Sequence, residues 1–475
     1  MFFNSVAFAV FLPIVFFLYW FVFNKTKSTQ NALLIIASYY FYSNWDWRFL
    51  FLLVFSTFLD YYTGIQIEKG KSEKSRKFWF WLSISVNLGF LGIFKYYNFF
   101  AVSFIDLINS LGFQANPKLI DVILPVGISF YTFHGLSYVI DIYNKKIKAE
   151  RNFIDYSLFV SYFPLLVAGP IERATHLLPQ IKIKREFSFE KAQEGFSQII
   201  WGLFKKVVIA DNCAVYANNI FDNYTAMDSL TLFVGAVYFA FQIYGDFSGY
   251  SDIALGVSKL FGIDLLRNFN YPYFSRDIAE FWRRWHISLS SWFRDYLYIP
   301  LGGSKGSKNM QIRNIFIIFL VSGIWHGANW TYIAWGAINA FYFLPLLLLK
   351  RNRNNIDNIM ISYDLSTVRQ LGGVLFTFII TCFAWIFFRS ENIHMAFDYI
   401  ERITFFTFSM NGLKEQISYI TIIILSYLVL LEWNNRSIEC PLFNKFSRIK
   451  IIVTIIFILL FGQFNIQSKF IYFQF

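Results

Sequence analysis

Two histidines stand where the sequence is richest in groups that can do chemistry. His286 lies in "FWRRWHISLSSWFRDYLYIPLGG", residues 281–303, among Trp, Arg, Ser and Asp. His326 lies in "SGIWHGANW", at the end of a long apolar run. An ionisable side chain within a bilayer is costly and is functional by default, and a positioned His can act as a general base. The sequence therefore predicts a functional role for His326. A structural His bonded to a backbone carbonyl is the alternative.

The neighbours of His326 are small or polar. Glycines on both sides would allow another group to come close, and Asn329 could orient a substrate or the imidazole ring. We therefore predict that Trp325 and Asn329 support the reaction at His326 or contact the substrate.

An amphipathic helix is predicted for the segment that holds His286. Its large apolar residues recur at spacings of three, four, three and four, which is typical of one helix face. Polar residues follow the same rhythm about 100° round the axis. We therefore expect one helix over residues 281–297, either at a catalytic site or at headgroup depth, where Trp and Arg are common. The apolar face consists of Trp282, Trp285, Leu289, Trp292 and Tyr296, and the polar face of Arg284, Ser288, Ser291 and Asp295.

The composition is that of an integral membrane protein. Of the 475 residues, 56% are hydrophobic and 15% are charged, whereas a soluble domain has about 45–50% and about 25%. The formal net charge of +12 fits basic loops that follow the positive-inside rule and face anionic lipid. We expect membrane lipid as a partner and no binding of nucleic acid.

The apolar runs predict an all-α polytopic protein with roughly 11 to 13 transmembrane or re-entrant helices, since one span needs about 20 residues. Two runs, "LPVGISFYTFHG" and "FPLLVAGPIERA", are interrupted by Gly and Pro, which is tolerated only inside protein or beside a watery cavity. With no internal repeat in view, we expect a single domain over residues 1–475. The predicted spans lie near 5–23, 31–44, 48–65, 78–100, 119–140, 153–171, 194–210, 230–248, 311–327, 329–349, 371–388, 416–433 and 450–464.

Several other chemistries lack a basis in the sequence. Cys213, Cys382 and Cys440 are far apart, with no CxxC, so we expect neither a disulfide framework nor a metal site. The patterns HxxxxD, HExxH and Walker A are missing, and we expect no nucleophile elbow, because the one GxSxG match, Gly302–Gly306, stands in a turn rich in Pro and Gly. His176 and His394 stand in loop-like contexts, and we predict both at the solvated surface.

Long motifs along nearly the whole chain give a resemblance to a known family. They include "FFNSVAFAVFLPIVFFLYW", "LPVGISFYTFHGLSYVIDIY", "GLFKKVVIADN", "YGDFSGYSDIALGVSKLFGIDLLRNFNYPY" and the two segments above. In this order they resemble the membrane-bound O-acyltransferases, in particular the bacterial alginate O-acetyltransferase branch. The family's intramembrane histidine matches His326, its second histidine matches His286, and the aspartate of "KKVVIADN" matches Asp211. At His134 the sequence departs from the more usual Gln.

The resemblance implies acyl transfer from a thioester to a hydroxyl, with His326 as general base. The oxyanion that develops needs hydrogen-bond donors, which His286 or Asn329 could supply. Asp211 would orient another side chain or pair with Lys205 or Lys206. Finally, Arg284, Arg294 and Asp295 would fix the helix or face phosphate groups of the donor.

The resemblance also implies the setting of the reaction. It indicates a central tunnel and a catalytic region of about residues 195–345, in a multi-pass protein of the bacterial cytoplasmic (inner) membrane. No cofactor is expected to be bound, because acetyl-CoA or another acyl thioester serves as donor substrate. The acceptor would be an extracytoplasmic polysaccharide, reached through a periplasmic or surface partner acyltransferase.

Two other functions remain open from the sequence. A polytopic transporter or flippase of a glycan or lipid-linked precursor would share the many spans and broken helices, although the missing repeat counts against it. D-alanyl transfer to teichoic acid would use the same family scaffold. The acceptor itself stays open among alginate, peptidoglycan, cellulose and other exopolysaccharides.

Overall fold

The computed structural model describes residues 1–121, 123–167, 169–356, 365–405, 407, 414, 416–443, 447–464 and 471. Within these residues all regular structure is helical and no strand is present. The predicted all-α fold is thus confirmed. The α-helices are α1 (Val6–Phe17), α2 (Lys27–Asp46), α3 (Arg48–Lys69), α4 (Glu73–Leu91), α5 (Tyr97–Ser110), α6 (Ile128–Tyr143), α7 (Phe153–Ser161), α8 (Ala174–Ile181), α9 (Phe189–Leu203), α10 (Asp211–Asp222), α11 (Ser229–Leu260), α12 (Ile278–Arg284), α13 (Ile287–Phe293), α14 (Lys308–His326), α15 (Trp330–Leu348), α16 (Leu365–Arg389), α17 (Ile393–Thr404), α18 (Tyr419–Asn434) and α19 (Ser447–Phe461).

Four wider π-helical turns adjoin these helices. They are Leu18–Val22, Gly92–Tyr96, Phe204–Ala210 and Arg294–Tyr298. Such turns shift the register of a helix and are frequent at functional sites. One of them, Arg294–Tyr298, directly follows α13 in the segment that holds His286.

Five helices in the described part of the chain are long and apolar enough to cross a membrane. They are α3, the continuous stretch Glu73–Ser110, α11, α15 and residues Val368–Arg389 of α16. Val6–Val22 and Tyr419–Asn434 are shorter apolar helices. The protein is therefore a multi-pass membrane protein. Some of the other predicted spans correspond to shorter or interrupted helices, whereas 31–44, 194–210 and, except for its last residue, 311–327 lie in uninterrupted helical stretches of sufficient length that are not among these five.

Two predicted spans, 119–140 and 153–171, are not continuous helices. α6 begins only after Gly127, whose φ of 74° is left-handed. α7 ends at Ser161, and the described residues that follow are non-helical as far as α8. Prolines explain both interruptions, because Pro removes a helix hydrogen bond and disfavours helix at the residue before it. Most of the segment after α7 is buried, which agrees with the expectation that such backbone lies inside protein.

The described residues pack as two compact units. The first unit comprises Met1–Gln193 with Val257–Leu266, and the second comprises Glu194–Gly256 with Arg267–Phe475. In the first unit, buried Asp60 accepts hydrogen bonds from Ser83 (2.6 Å) and Asn87 (2.8 Å).

In the second unit, glycines bring two helices into direct backbone contact. A Cβ on Gly249 of α11 would lie 2.7 Å from the carbonyl oxygen of Gly202 in α9. Small residues at a helix interface permit this approach in a membrane protein. The close packing sets Lys206, in the turn after α9, against Asp246 of α11, with Nζ 2.6 Å from the carboxylate.

Candidate active site

The prediction of one helix over residues 281–297 is wrong, because the helix is interrupted at His286. α12 ends at Arg284 and α13 begins at Ile287. Between them His286 has a φ of 44° and a ψ of 55°, which is the left-handed region. A residue with a Cβ pays about 1–2 kcal/mol to adopt that conformation, and such strain clusters at functional sites.

The break places the imidazole of His286 in a buried aromatic environment. His286 is 1% exposed. Its ring centroid lies 4.6 Å from that of Phe247, nearly edge-on, and 5.9 Å from that of Trp325. The side chain is therefore inside the second unit, away from solvent.

His326 is the last residue of α14 and is also buried, at 4% exposure. Aromatic rings enclose it: centroid distances are 4.9 Å to Trp325, 5.0 Å to Trp335 and 5.3 Å to Phe388. The ring of Trp325 therefore lies beside both histidines, and its supporting role stays a prediction.

The glycines beside His326 serve the packing of α14 on α15. A Cβ on Gly323 would overlap the carbonyl oxygen of Tyr332, and a Cβ on Gly327 would overlap its ring. The group that approaches closely is therefore Tyr332. Since this contact fixes where α14 ends, it also fixes the position of His326.

Both histidines line one cavity of about 230 Å³. Its wall is mainly apolar and is formed by Leu289, Phe293, Ile315, Ile318, Phe319 and Phe343. The two imidazoles in this lining are buried, whereas most of its other polar residues are exposed or half-buried. The cavity therefore suits a ligand with an apolar arm, a reactive group at the histidines and a polar head at the exposed residues.

Arginines give the outer rim of this cavity its charge. Arg294 and Arg353 line it, and the Arg294 side chain is 63% exposed. The loop that carries Arg353 is held by Arg283, which donates to the carbonyl oxygens of Asn352 and Asn355, each at 2.9 Å. No Asp or Glu is among the described residues that line the cavity, so its rim favours an anionic group.

The three charged residues predicted for the helix have different surroundings. Arg294 donates to Asp295 at 2.7 Å and also lines the rim. Arg284 instead donates to Glu280 (2.8 Å) and to the carbonyl oxygen of Asn270 (3.1 Å), and is buried away from the cavity lining. Arg284 therefore makes contacts that would fix the helix, whereas the phosphate contact expected of Arg294 stays a prediction.

Asn329 lies outside the cavity lining, contrary to its predicted role at the oxyanion. Its Oδ1 accepts from the backbone N–H of Thr331 at 3.0 Å and so caps the start of α15. Its Nδ2 donates to the carbonyl oxygen of Glu391 at 2.8 Å. Both ends of the amide are thus used for structure. An Asn directly before an apolar helical run is a common helix cap.

Two serines that the sequence did not single out line the cavity. They are Ser290, in α13, and Ser322, in α14. Ser322 precedes His326 by four residues, and residues at that spacing share one helix face. That spacing was the available signal in the sequence. The hydroxyl is a possible donor to an oxygen that binds beside His326.

Asp211 forms part of a buried ion cluster away from the cavity lining. Lys206 Nζ lies 2.9 Å from Asp211 and 2.6 Å from Asp246. Lys206 is one of the two partners expected for Asp211. Asp246 also accepts from the backbone N–H of Ile471 at 2.7 Å. The cluster therefore joins α10, α11 and the C-terminal segment.

The remaining histidines lie outside the cavity. His394 is exposed, as predicted. His176 is only partly exposed, and its hydrogen bond to Glu172 (2.8 Å) raises the pKa of its imidazole. His134 is buried and accepts from the backbone N–H of Glu172 at 3.0 Å. Within the described residues, no group of three or more His, Cys, Asp or Glu is arranged to hold a metal ion.

Comparison with known proteins decides the family. The model of the membrane-bound O-acyltransferase family matches residues 145–388, which is more than half of the chain and includes both cavity histidines. The chain belongs to this family. It is an acyltransferase.

The relatives include two named for O-acetylation, which align over most of this chain, and one named for D-alanyl transfer, which aligns over less than half of it. "Probable alginate O-acetylase AlgI" of Pseudomonas aeruginosa is 39% identical over 90% of this chain and 80% of the relative. The peptidoglycan O-acetyltransferase of Helicobacter pylori is 34% identical over 81% of this chain and 76% of the relative. The teichoic acid D-alanyltransferase of Bacillus subtilis is 31% identical over 45% of this chain and 57% of the relative.

Proposed function

We propose that this protein is a membrane O-acetyltransferase that moves an acetyl group from a thioester to hydroxyls of an extracytoplasmic polysaccharide. The observation that carries the proposal is one cavity whose lining includes two buried histidines and two exposed arginines. The named activities of the alginate and peptidoglycan relatives, which align over most of this chain, support the acetyl group and the glycan acceptor.

In the proposed mechanism His326 is the general base. Its imidazole takes the proton of the acceptor hydroxyl as the oxygen attacks the thioester carbonyl carbon, a role worth about 10²–10⁴-fold in rate. His286 donates to the oxyanion of the tetrahedral intermediate, and Ser322 lies on the same face of α14 to assist. The carbon–sulfur bond then breaks, and the thiolate receives the proton from His326.

Acetyl-CoA is the proposed donor. The charged fork of Arg is well suited to phosphate, and Arg294 and Arg353 both stand at the outer rim. The apolar wall between rim and histidines would take the pantetheine arm. Trp325 contacts both rings and supports their arrangement.

The setting belongs to the same proposal. We place the protein in the bacterial cytoplasmic membrane, with a partner acyltransferase on the outer side that completes delivery to the glycan. A tunnel from the cavity to that side would let the acceptor hydroxyl reach the thioester, so that the acetyl group leaves as the new ester. D-alanyl transfer to teichoic acid is the second candidate, because a relative with that name is 31% identical over 45% of the chain.

The proposal is tested with purified protein in nanodiscs and radiolabelled acetyl-CoA. CoA release and label transfer to crude surface glycan are followed for wild type, His326→Ala and His394→Ala. We expect His326→Ala to lose about 10²–10⁴-fold in turnover, while the exposed control His394→Ala stays at the wild-type rate. Full turnover in a folded His326→Ala protein would remove His326 from the chemistry. If radiolabelled D-alanine were transferred from its carrier protein and no label were transferred from acetyl-CoA, the second candidate would be favoured.

A further inference from the structure

The left-handed turn at His286 is held from both sides by one neighbouring segment. Before the turn, the backbone N–H of Asn270 donates to the carbonyl oxygen of Arg284 at 3.0 Å. After the turn, the backbone N–H of Ile287 donates to the carbonyl oxygen of Asn268 at 2.9 Å. The two bonds enclose the strained residue, and a conformation of this kind persists only where its surroundings over-determine it.

The side chain of Asn268 adds a third bond at the same place. Its Oδ1 accepts from the hydroxyl of Ser288 at 2.6 Å. Asn268 is 0% exposed and Ser288 1%. Asn268 therefore binds the two residues that directly follow His286 in the chain, one through its backbone and one through its amide.

The Nδ2 donor of the same amide is buried without a hydrogen bond among the described residues. A buried polar group in that state calls for an explanation, such as a functional role or an ordered water. An apolar residue of similar size would avoid the unsatisfied donor but would lose the bond to Ser288.

We propose that Asn268 is a positioning residue that sets the imidazole of His286 towards the reacting thioester. The proposal rests on the proposed function, because it concerns how His286 is held for acyl transfer. Asn268 does not touch the substrate: it acts through the turn, by fixing residues 287 and 288 so that His286 keeps its left-handed conformation.

The test is a double-mutant cycle on acetyl transfer with radiolabelled acetyl-CoA in nanodiscs. Asn268→Ala should lower kcat by about 10-fold to 100-fold, since small displacements of a catalytic group have effects of this size, while KM for acetyl-CoA changes less than about twofold. In a His286→Ala background, the same substitution should lower kcat by less than about twofold, because the group it positions is gone.

A second test variant and a control variant complete the experiment. Ser288→Ala removes the same side-chain bond from the other partner and carries the test if Asn268→Ala fails to fold. Asn270→Ala is the matched control, because Asn270 holds the turn through its backbone, and it should keep the wild-type kcat.

The outcomes separate the two proposals. An equal loss from Asn268→Ala in both backgrounds would mean a general structural role and would overturn the inference. No loss in either Asn268→Ala or Ser288→Ala would overturn it as well. Wild-type protein without any acetyl transfer would instead defeat the proposed function, and the inference with it.

Discussion

The two histidines of the cavity reach their positions by opposite means. His326 ends an ordinary helix and is fixed by aromatic rings and by the contact of Gly323 with Tyr332. His286 occupies a strained turn and is fixed by polar bonds from Asn268. The first arrangement depends on the volume of its neighbours and the second on hydrogen bonds, so different substitutions should disable each.

The largest effect is expected where packing positions His326. Gly323→Ala would place a Cβ against the carbonyl oxygen of Tyr332, and a backbone atom cannot move aside as a flexible side chain can. We expect a loss of about 1–3 kcal/mol in the free energy of unfolding and of at least about 100-fold in acetyl transfer. Thermal unfolding and turnover in detergent measure the two losses.

A matched glycine serves as control for this substitution. Gly372, in α16, has no heavy atom within 4 Å of an added Cβ. Gly372→Ala should therefore leave activity unchanged. Equal behaviour of the two alanine variants would contradict the packing account of His326.

The next effect is a difference in stability between Asn and Val variants, which depends on the backbone conformation at each histidine. Asn tolerates the left-handed region far better than the β-branched Val does. At residue 286 the Asn variant should therefore be more stable than the Val variant by about 1–2 kcal/mol. At residue 326, which ends a helix, the difference should be close to zero. Thermal unfolding of the four variants gives the comparison, and a similar Asn–Val difference at both positions would break it.

A smaller effect is expected at the rim, where the two arginines are exposed. Arg353→Gln and Arg294→Gln should each raise KM for acetyl-CoA by about 3-fold to 10-fold, because each removes a charge-assisted contact to phosphate. KM for acetyl-pantetheine, which has no phosphate, should stay the same. The exposed Arg351, which is outside the cavity lining, supplies the control Arg351→Gln. An equal rise for both donors would show that the arginines do not select for phosphate.

The smallest effect tests the corrected role of Asn329. Asn329→Ala removes a helix cap and should lower the free energy of unfolding by about 1 kcal/mol, with kcat within about twofold of wild type. Asn392, which caps α17 by accepting from the N–H of Met395 at 2.9 Å, is the comparison, and Asn392→Ala should behave alike. A fall of about 100-fold in kcat for Asn329→Ala alone would restore Asn329 to the oxyanion.

The sequence indicated the membrane fold and His326 for simple physical reasons, whereas His286 was singled out by its match to the family's second histidine. Composition alone separates a membrane protein from a soluble one, and an ionisable ring in an apolar run is unusual enough to attract attention. It could not indicate the break at His286. The spacing of Trp282, Trp285 and Leu289 fits a helix, and the turn depends on bonds from Asn268 that only the fold brings near.

Arg353 and Asn329 show two different limits of prediction from the sequence. Arg353 is 59 residues away from Arg294 in sequence, so only the tertiary structure places both at one cavity. The role of Asn329, by contrast, was legible in the sequence: a cap residue before a helical run. Its closeness to His326 in sequence suggested a catalytic role, whereas its two side-chain hydrogen bonds are to backbone groups of Thr331 and Glu391.

The central claim is that one thioester lies with its carbonyl at both histidines and its phosphates at the arginine rim. A cryo-electron microscopy structure with the unreactive ester analogue of acetyl-CoA tests it most directly. The account predicts the analogue's carbonyl oxygen about 3 Å from a nitrogen of His286, the carbonyl carbon beside His326, and phosphate oxygens in contact with Arg294 and Arg353. Density for the analogue elsewhere, with this cavity empty, would contradict the account.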